Sequence, residues 1–469
     1  MDAPSNRFGY LALHALIWTL PFGLFPAFEQ PSVSQRFYFQ TATTTIALFY
    51  FGASWLGGQL RLPHNVVLWA AVLYGLCATA SSFGARHALF TIKEIAALWS
   101  GLLILAMVVH LRLTQWQCRR LLLSLAWICG LCALYGVLQY LGFDFRWGSI
   151  GYAPEIKEGR FHVLSLLGHP NYLTAYIGPV LLLCPGLIAA SSNRRIRIAL
   201  GVTVALIALC IFLAGTRSAW LATALLGGAL TAAFASQWRP IPLSRQAKKA
   251  AVAVVCIFAL FVIPNPLIPH RYSFLDRLGE SRPVLGRFYF YVAATQMIAR
   301  HPILGIGYNN FGVEFWDYAA ALQENAGNRF YSYILEDMGG IRPDQTHNEY
   351  LQIAAETGLL GLATFLFLLI VFLLRLRDDY RRTQPWPDRL LLAGMGTAVG
   401  FLLLDALFSF PFRLPCSGME FWLVMGVATR YAWPETLRLP AKEKEELKLP
   451  APIAGKPDGG KHKRRSKRK

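Results

Sequence analysis

A histidine stands where a long polar segment gives way to an apolar helix. The segment ends in Thr346-His347-Asn348-Glu349, and the apolar run of residues 353–374 follows. Imidazole titrates near neutral pH, so a histidine at such a boundary can accept a proton from a substrate held between water and lipid. The alternative is a structural histidine that begins the helix and bonds to its own loop.

Two arginines occupy comparable boundary positions. Arg217 lies in a connection between apolar runs that is too short to be a linker, and Arg287 opens a predicted helix that ends at Arg300. A guanidinium is always ionised and can hold two oxygens of one anion at once. The side chain of Arg217 could equally reach lipid headgroups without any catalytic role, so both interpretations stay open.

These residues must be positioned by membrane-spanning helices, because the composition excludes an ordinary soluble domain. The chain has 469 residues, of which 55% are hydrophobic and 15% charged, and its mean hydropathy is +0.40. We predict an all-α polytopic membrane protein with about twelve spans near the ~20 residues that cross a bilayer. The predicted spans are residues 10–28, 37–56, 66–83, 88–109, 121–141, 172–190, 196–214, 219–235, 250–263, 353–374, 390–408 and 419–432.

Lysine and arginine predict the orientation. They concentrate in alternate connections, at residues 112–120, 194–197, 239–249 and 375–389, and in the tail at 461–469. The positive-inside rule makes these connections and both termini cytoplasmic. Attraction to anionic lipid headgroups explains the net charge of +19 more simply than nucleic acid, so membrane lipids and no nucleic acid are expected as partners.

The predicted spans divide the chain into four parts. Residues 1–264 hold the first nine spans, and residues 265–347 form a large periplasmic loop that carries an interfacial helix. Residues 348–433 hold the last three spans, and residues 434–469 form a basic cytoplasmic tail that is predicted to be disordered. The loop is too long to lack structure of its own in a compact fold.

No metal site is indicated. Cys129 and Cys132 form a C-x-x-C pair, but it lies inside an apolar span and no second pair completes a zinc site. The acids of the large loop show no metal-ligand spacing. Three charged residues inside predicted spans are functional candidates without an assigned role, Lys93, Glu94 and Asp405.

Several motifs in order resemble the O-antigen ligase family. They are His169-Pro170-Asn171-Tyr172, Gly215-Thr216-Arg217-Ser218, Gly286-Arg287-Phe288, Gly305-Ile306-Gly307-Tyr308-Asn309-Asn310-Phe311, Thr346-His347-Asn348-Glu349-Tyr350-Leu351-Gln352 and Glu356-Thr357-Gly358-Leu359-Leu360-Gly361. The similarity is strongest over residues 201–374. His169 departs from the pattern, because the family usually has Asn there.

The resemblance implies a C-type glycosyltransferase fold in the bacterial inner membrane. The implied donor is a glycan on undecaprenyl pyrophosphate, the acceptor in ligases of this family is the lipid A core oligosaccharide, and no metal or cofactor is needed. By motif, Arg217 and Arg287 match the essential arginines and His347 the essential histidine. Further substrate contacts are expected from Arg160, His169, Asn171, Tyr308, Asn348 and His301, with His301 as a reserve base.

Two kinds of alternative remain. Relatives of these ligases include O-antigen polymerases, which join repeat units, and protein O-oligosaccharyltransferases, which glycosylate a pilin hydroxyl. The alternative that is not an enzyme is a transporter of a small solute or anion. A transporter is expected to have interrupted helices in paired positions of two repeats, whereas this sequence shows one interrupted start, at residues 168–172.

Overall fold

The computed structural model describes residues 4–24, 30–61, 63–143, 156–157, 160–161, 163–235, 282–326 and 343–431. The described residues belong to one compact unit, which ends at Ala432. The predicted ninth span at 250–263 and the tail at 434–469 lie outside the described residues. The side chain of Arg160 is also outside them, although its backbone is described.

The described chain is almost entirely helical, as predicted. The only strands in this part of the chain are β1 (Ile156–Lys157) and β2 (Arg160–Phe161), which pair antiparallel. The helices are α1 (Pro4–Thr19), α2 (Pro31–Leu56), α3 (Val66–Ala80), α4 (Ala88–His110), α5 (Gln115–Tyr140), α6 (Pro170–Ala190), α7 (Arg194–Ala214), α8 (Arg217–Phe234), α9 (Arg282–Arg300), α10 (Phe311–Ala326), α11 (Glu349–Arg382), α12 (Trp386–Asp405) and α13 (Pro415–Tyr431).

Seven helical segments in the described residues are long and apolar enough to cross a membrane. They are Val66–Gly84, Thr91–His110, Gln115–Tyr140, Pro170–Ala190, Arg194–Ala214, Glu349–Arg382 and Trp386–Asp405. The chain is therefore a multi-pass membrane protein. Four more predicted spans overlap helices of the structure, namely α1, α2, α8 and α13. These helices do not meet both the length and the apolarity that a membrane-crossing helix needs. The total of twelve stays a prediction.

The bundle is built around α6 and α12, which pack along each other. Helices α5, α7 and α8 pack against α6, and α13 packs against α12 and α4. Three of the connections rich in arginine, those near residues 119, 190 and 388, meet at one end of the bundle. There Arg119 forms an ion pair with Asp388 and donates a hydrogen bond to the Ala190 carbonyl (3.3 Å). Because α12 begins at that end, Asp405 at its last residue lies at the opposite end.

The predicted structure within residues 265–347 is present in the part that is described. Helix α9 covers the predicted helix and begins at Arg282, earlier than expected. One face of α9, including Phe290 and Met297, packs on Phe315 of α10 and on Ala355 of α11. Helix α9 thereby forms a small folded layer with α10 against the start of α11. Its position on the bilayer surface stays a prediction.

A backbone contact between two glycines fixes this layer. Helix α11 is kinked at Gly358, whose φ is 70°, and Gly305 has a φ of 69°. A Cβ on Gly358 would lie 2.0 Å from the Ile303 carbonyl oxygen, and one on Gly305 would lie 2.3 Å from the Glu356 carbonyl carbon. Carbonyls of α11 that the kink frees accept the N–H groups of Ile306 (3.0 Å) and Gly307 (2.9 Å). Two of the sequence motifs therefore lock together.

Candidate active site

Helix ends from separate parts of the sequence meet at the end of the bundle that carries Asp405. The Thr216 hydroxyl donates to Asn171 Oδ1 (3.2 Å), which joins the starts of α8 and α6. The Ser218 hydroxyl donates to Asp405 Oδ1 (2.6 Å), which joins α8 to the end of α12. The Glu349 N–H donates to the carbonyl of the residue after Asp405 (2.8 Å), which joins the start of α11. These bonds bring three predicted site segments together.

His347 lies two residues before Glu349 in this arrangement, with a backbone conformation that residues other than glycine rarely adopt. Its φ is 58°. Its ring stacks on Phe290 with ring centroids 6.1 Å apart and meets Phe410 at an angle with centroids 5.4 Å apart. The Tyr291 hydroxyl donates to its carbonyl oxygen (3.4 Å). The ring is therefore held by aromatic packing on α9 and on the segment after α12.

The environment keeps the His347 ring neutral. Its Nδ1 is buried and has no hydrogen-bond partner among the described residues. Burial, with the charges of Arg287 and then His169, lowers the pKa of His347 to about 4. At pH 7 this imidazole is unprotonated, which is the form that a general base requires. Because Nδ1 is buried, we expect a substrate to reach the ring at Nε2.

The two site arginines lie near one buried carboxylate, that of Asp405. Arg287 on α9 is half-buried and interacts electrostatically with both Asp405 and Arg217. Asp405 is 1% exposed, and Ser218, which bonds to it, directly follows Arg217. Burial lowers the pKa of Arg287, although the group stays ionised at neutral pH. With two guanidinium groups and one carboxylate, this site favours an anion beside a neutral imidazole.

Comparison with protein families finds a match over the part of the chain that contains these residues. The model of the O-antigen ligase family matches residues 202–366, which include Arg217, Arg287 and His347. Over these residues the chain is similar to the O-antigen ligase family. No curated protein matches the chain. The matched family is one of membrane glycosyltransferases of the O-antigen ligase and polymerase type, which act on a lipid-linked glycan donor and an acceptor.

His169 and Asn171, predicted to contact substrate, are at the site but serve first as structural groups. His169 caps α6, because its Nδ1 accepts the N–H of Asn171 (3.1 Å). Its exposed ring packs on Tyr172 (4.9 Å between centroids), which packs on Phe410 (5.8 Å). An aromatic row therefore connects His169 to His347. Substrate contact by either residue stays a prediction.

Asn348 and Tyr308 also have structural contacts. Asn348 Oδ1 accepts the N–H of Leu351 (3.1 Å) and so caps α11. Tyr308 is buried, and the guanidinium of Arg413 lies 4.6 Å from the centre of its ring. The described contacts of Tyr308 are those of a packed core residue, and they do not include the His347 cluster. Substrate contact by Asn348 and Tyr308 stays a prediction.

His301 lies far from Arg287, the predicted site residue on α9. It directly follows α9, and residues 287 and 301 are 14 positions apart, or about 20 Å along a helix. Its charge acts on Glu314 instead, together with Arg86. Arg287 and His301 therefore cannot serve one small site, and the geometry disfavours the reserve base. The predicted contact by Arg160 involves a side chain outside the described residues.

Some groups around His347 were missed or left without a role at the sequence level. Asp405 had a detectable signal, since a charge within a span suggests function. Phe290, Phe410 and Arg413 carried no such signal, because an apolar residue or an arginine beside a membrane boundary is common.

Lys93 is exposed, and Glu94 forms an ion pair with Arg36. The described residues contain no group of three His, Cys, Asp or Glu side chains that could hold a metal.

The titration of His347 is a direct test of this electrostatic description. We expect the ring to titrate near pH 4 in the purified protein, followed by NMR with labelled histidine and assigned with His347→Gln. Arg287→Met should raise the midpoint, because it removes a positive charge that disfavours protonation. Arg300→Met, at the far end of α9, is the matched control and should leave it unchanged. A midpoint near the ordinary 6.5 in the wild type would contradict the description.

Proposed function

We propose that this chain transfers an O-antigen type glycan from undecaprenyl pyrophosphate to a hydroxyl of the lipid A core oligosaccharide. The observation that carries the proposal is the meeting of His347, Arg217 and Arg287 at one end of the bundle, beside Asp405. The chemistry needs an anion site for the leaving pyrophosphate and a neutral base for the acceptor. This end of the bundle supplies both.

The proposed reaction is a single displacement at the anomeric carbon of the donor. The acceptor oxygen forms a bond to that carbon, and the bond from the carbon to the pyrophosphate oxygen breaks with its electron pair leaving on the oxygen. His347 Nε2 takes the acceptor proton. Arg217 and Arg287 hold the pyrophosphate, whose negative charge grows as the bond breaks. Pyrophosphate is a good leaving group, so one base is sufficient, and metal independence is part of the proposal.

Donor binding would also make His347 a stronger base. A base with a pKa near 4 accepts a proton poorly at neutral pH. The bound pyrophosphate would offset the positive charge of Arg287, which is one cause of the lowered pKa. Repeating the histidine titration with inorganic pyrophosphate present should move the midpoint upward, and an unmoved midpoint would argue against this coupling.

The proposed side of the membrane is the periplasm. The connections around Arg119, Arg194 and Arg389 are at the end of the bundle opposite to Asp405. The positive-inside rule assigns such an end to the cytoplasm. The active site would then open to the periplasm, with both termini cytoplasmic. Reporter fusions at residues 325–328, which should read periplasmic, test the assignment.

Deletion of the coding sequence in the host bacterium separates the proposal from its alternatives. Loss of a ligase should leave lipopolysaccharide with bare core, as read by gel and mass spectrometry. Loss of a polymerase would instead leave core capped with single repeat units. Unchanged lipopolysaccharide with an unglycosylated pilin would identify a protein O-oligosaccharyltransferase. Wild-type glycoconjugates of both kinds would contradict the proposed transfer and favour a transporter.

A further inference from the structure

Arg413 forms a buried ionic cluster next to the turn that holds His347. Its side chain is 3% exposed and lies in the short helical turn Pro411–Arg413. Its Nε donates to Glu349 Oε1 (2.7 Å), and its Nη2 lies 2.8 Å from Glu356 Oε2. One guanidinium therefore binds two carboxylates on the first two turns of α11. Charged groups this deeply buried need such partners to be stable.

The cluster reaches the His347 turn from its C-terminal side. Glu349 is two residues after His347. Arg413 holds the Glu349 carboxylate, and the backbone N–H of Glu349 donates to the Ala406 carbonyl (2.8 Å). Tyr350 adds a bond from its hydroxyl to the Leu403 carbonyl (2.8 Å). The residues just after His347 are thereby attached to the last turn of α12, to Ala406 after it, and to Arg413.

The same cluster reaches the turn from its N-terminal side. Glu356 Oε1 accepts a hydrogen bond from the Gln352 amide (2.9 Å). The Gln352 carbonyl oxygen Oε1 accepts the N–H of Thr346 (3.0 Å), the residue before His347. Both neighbours of the His347 turn therefore connect to Arg413, one through Glu349 and the other through Gln352 and Glu356.

Two further features of the cluster concern the surroundings of the His347 ring. Glu356 accepts the N–H groups of Asn309 (2.8 Å) and Phe311 (3.3 Å), which anchors the start of α10. Phe410, whose ring meets that of His347, is three residues before Arg413. A left-handed backbone at a histidine persists only when its surroundings fix it from several sides. The network around Arg413 provides that constraint.

We propose that Arg413 is a positioning residue for His347, and this rests on the proposed function in which His347 is the base. Arg413 touches neither donor nor acceptor. Through Glu349, Glu356 and Phe410 it holds the His347 turn in the conformation that presents Nε2 to the acceptor hydroxyl. The donor arginines are on other helices, α8 and α9.

The test compares donor binding with transfer in Arg413→Met. Misplacing a catalytic group by about 1 Å can cost about 10²-fold in rate. We expect single-turnover transfer to fall by about that factor, while affinity for undecaprenyl pyrophosphate stays within about twofold. Arg413→Lys should recover part of the rate, because one ammonium can still hold one of the carboxylates. Arg119→Met, which breaks the ion pair with Asp388 at the other end of the bundle, should transfer normally per folded molecule.

A double variant decides whether Arg413 acts through His347. Two changes that act through one group do not add, so Arg413→Met with His347→Ala should transfer no more slowly than His347→Ala alone. A further loss in the double variant, or an equal loss of donor affinity in Arg413→Met, would overturn the proposal. Full transfer by Arg413→Met would overturn it as well.

A second variant covers a failure to fold, since Arg413→Met leaves two buried carboxylates without their cation. Glu349→Gln removes one charge, keeps an acceptor for Arg413, and should show the same split between affinity and rate. Normal transfer by Glu349→Gln would contradict the proposal. If His347→Ala itself transfers at the wild-type rate, the proposed function fails instead, and the two failures are thus distinct.

Discussion

His347→Ala is expected to lower single-turnover transfer by about 10²- to 10⁴-fold, the usual contribution of a general base. Its affinity for the lipid-linked donor should stay near the wild-type value, because the groups proposed to hold pyrophosphate are Arg217 and Arg287. The ring contacts Phe290 and Phe410 at the surface of the folded core, and the variant should therefore remain folded. Purified protein would be measured for monodispersity, donor affinity and transfer separately.

The matched control for this variant is His301→Ala. It removes the same side chain from the other end of α9, about 20 Å from Arg287. His301 is exposed, so its removal should leave both donor affinity and transfer unchanged. If His301→Ala lost transfer strongly while His347→Ala transferred normally, His301 and not His347 would be the general base.

Arg287→Met is expected to weaken donor binding by about 10- to 100-fold, since a hydrogen bond to a charged group contributes about 1.5–3 kcal/mol. The loss should appear in donor affinity as well as in rate, which distinguishes it from His347→Ala. Removing the cation also takes from the buried Asp405 its interaction with Arg287 and leaves its hydrogen bond with Ser218.

Arg300→Met is the corresponding control for the arginine. Arg300 lies on the same helix, with its guanidinium 5.1 Å from the centre of the Tyr318 ring, and not at the His347 cluster. It should bind donor normally. Unchanged donor affinity in Arg287→Met would remove Arg287 from the pyrophosphate site, whatever its effect on rate.

The sequence predicted the parts of the site that local pattern encodes. His347, Arg217 and Arg287 stand at boundaries between polar and apolar segments, and periodicity alone suffices to place helices on either side of them. The same reasoning predicted most of the spans and the helix that became α9. It missed the start of α9 because charge and glycine near residues 282–286 conceal the helix boundary.

Partners that come from distant helices could not be predicted in this way. The bond from Ser218 to Asp405 spans 187 positions, and the bond from Arg413 to Glu349 spans 64. Such pairs depend on how α8, α11 and α12 pack, which no local pattern specifies. Tyr308 shows the converse case: its motif is matched, but a motif does not give the direction of a side chain, and this ring packs against Arg413.

The most direct test of the central claim measures donor affinity and single-turnover transfer side by side, in chelator, for wild type, His347→Ala and Arg287→Met. We expect that the wild type transfers without added metal, that His347→Ala binds donor but transfers about 10²- to 10⁴-fold more slowly, and that Arg287→Met binds donor poorly. Wild-type transfer that is lost in chelator and restored by magnesium or manganese would contradict the central claim. Equal loss of affinity in both variants, or full transfer by His347→Ala, would contradict it too.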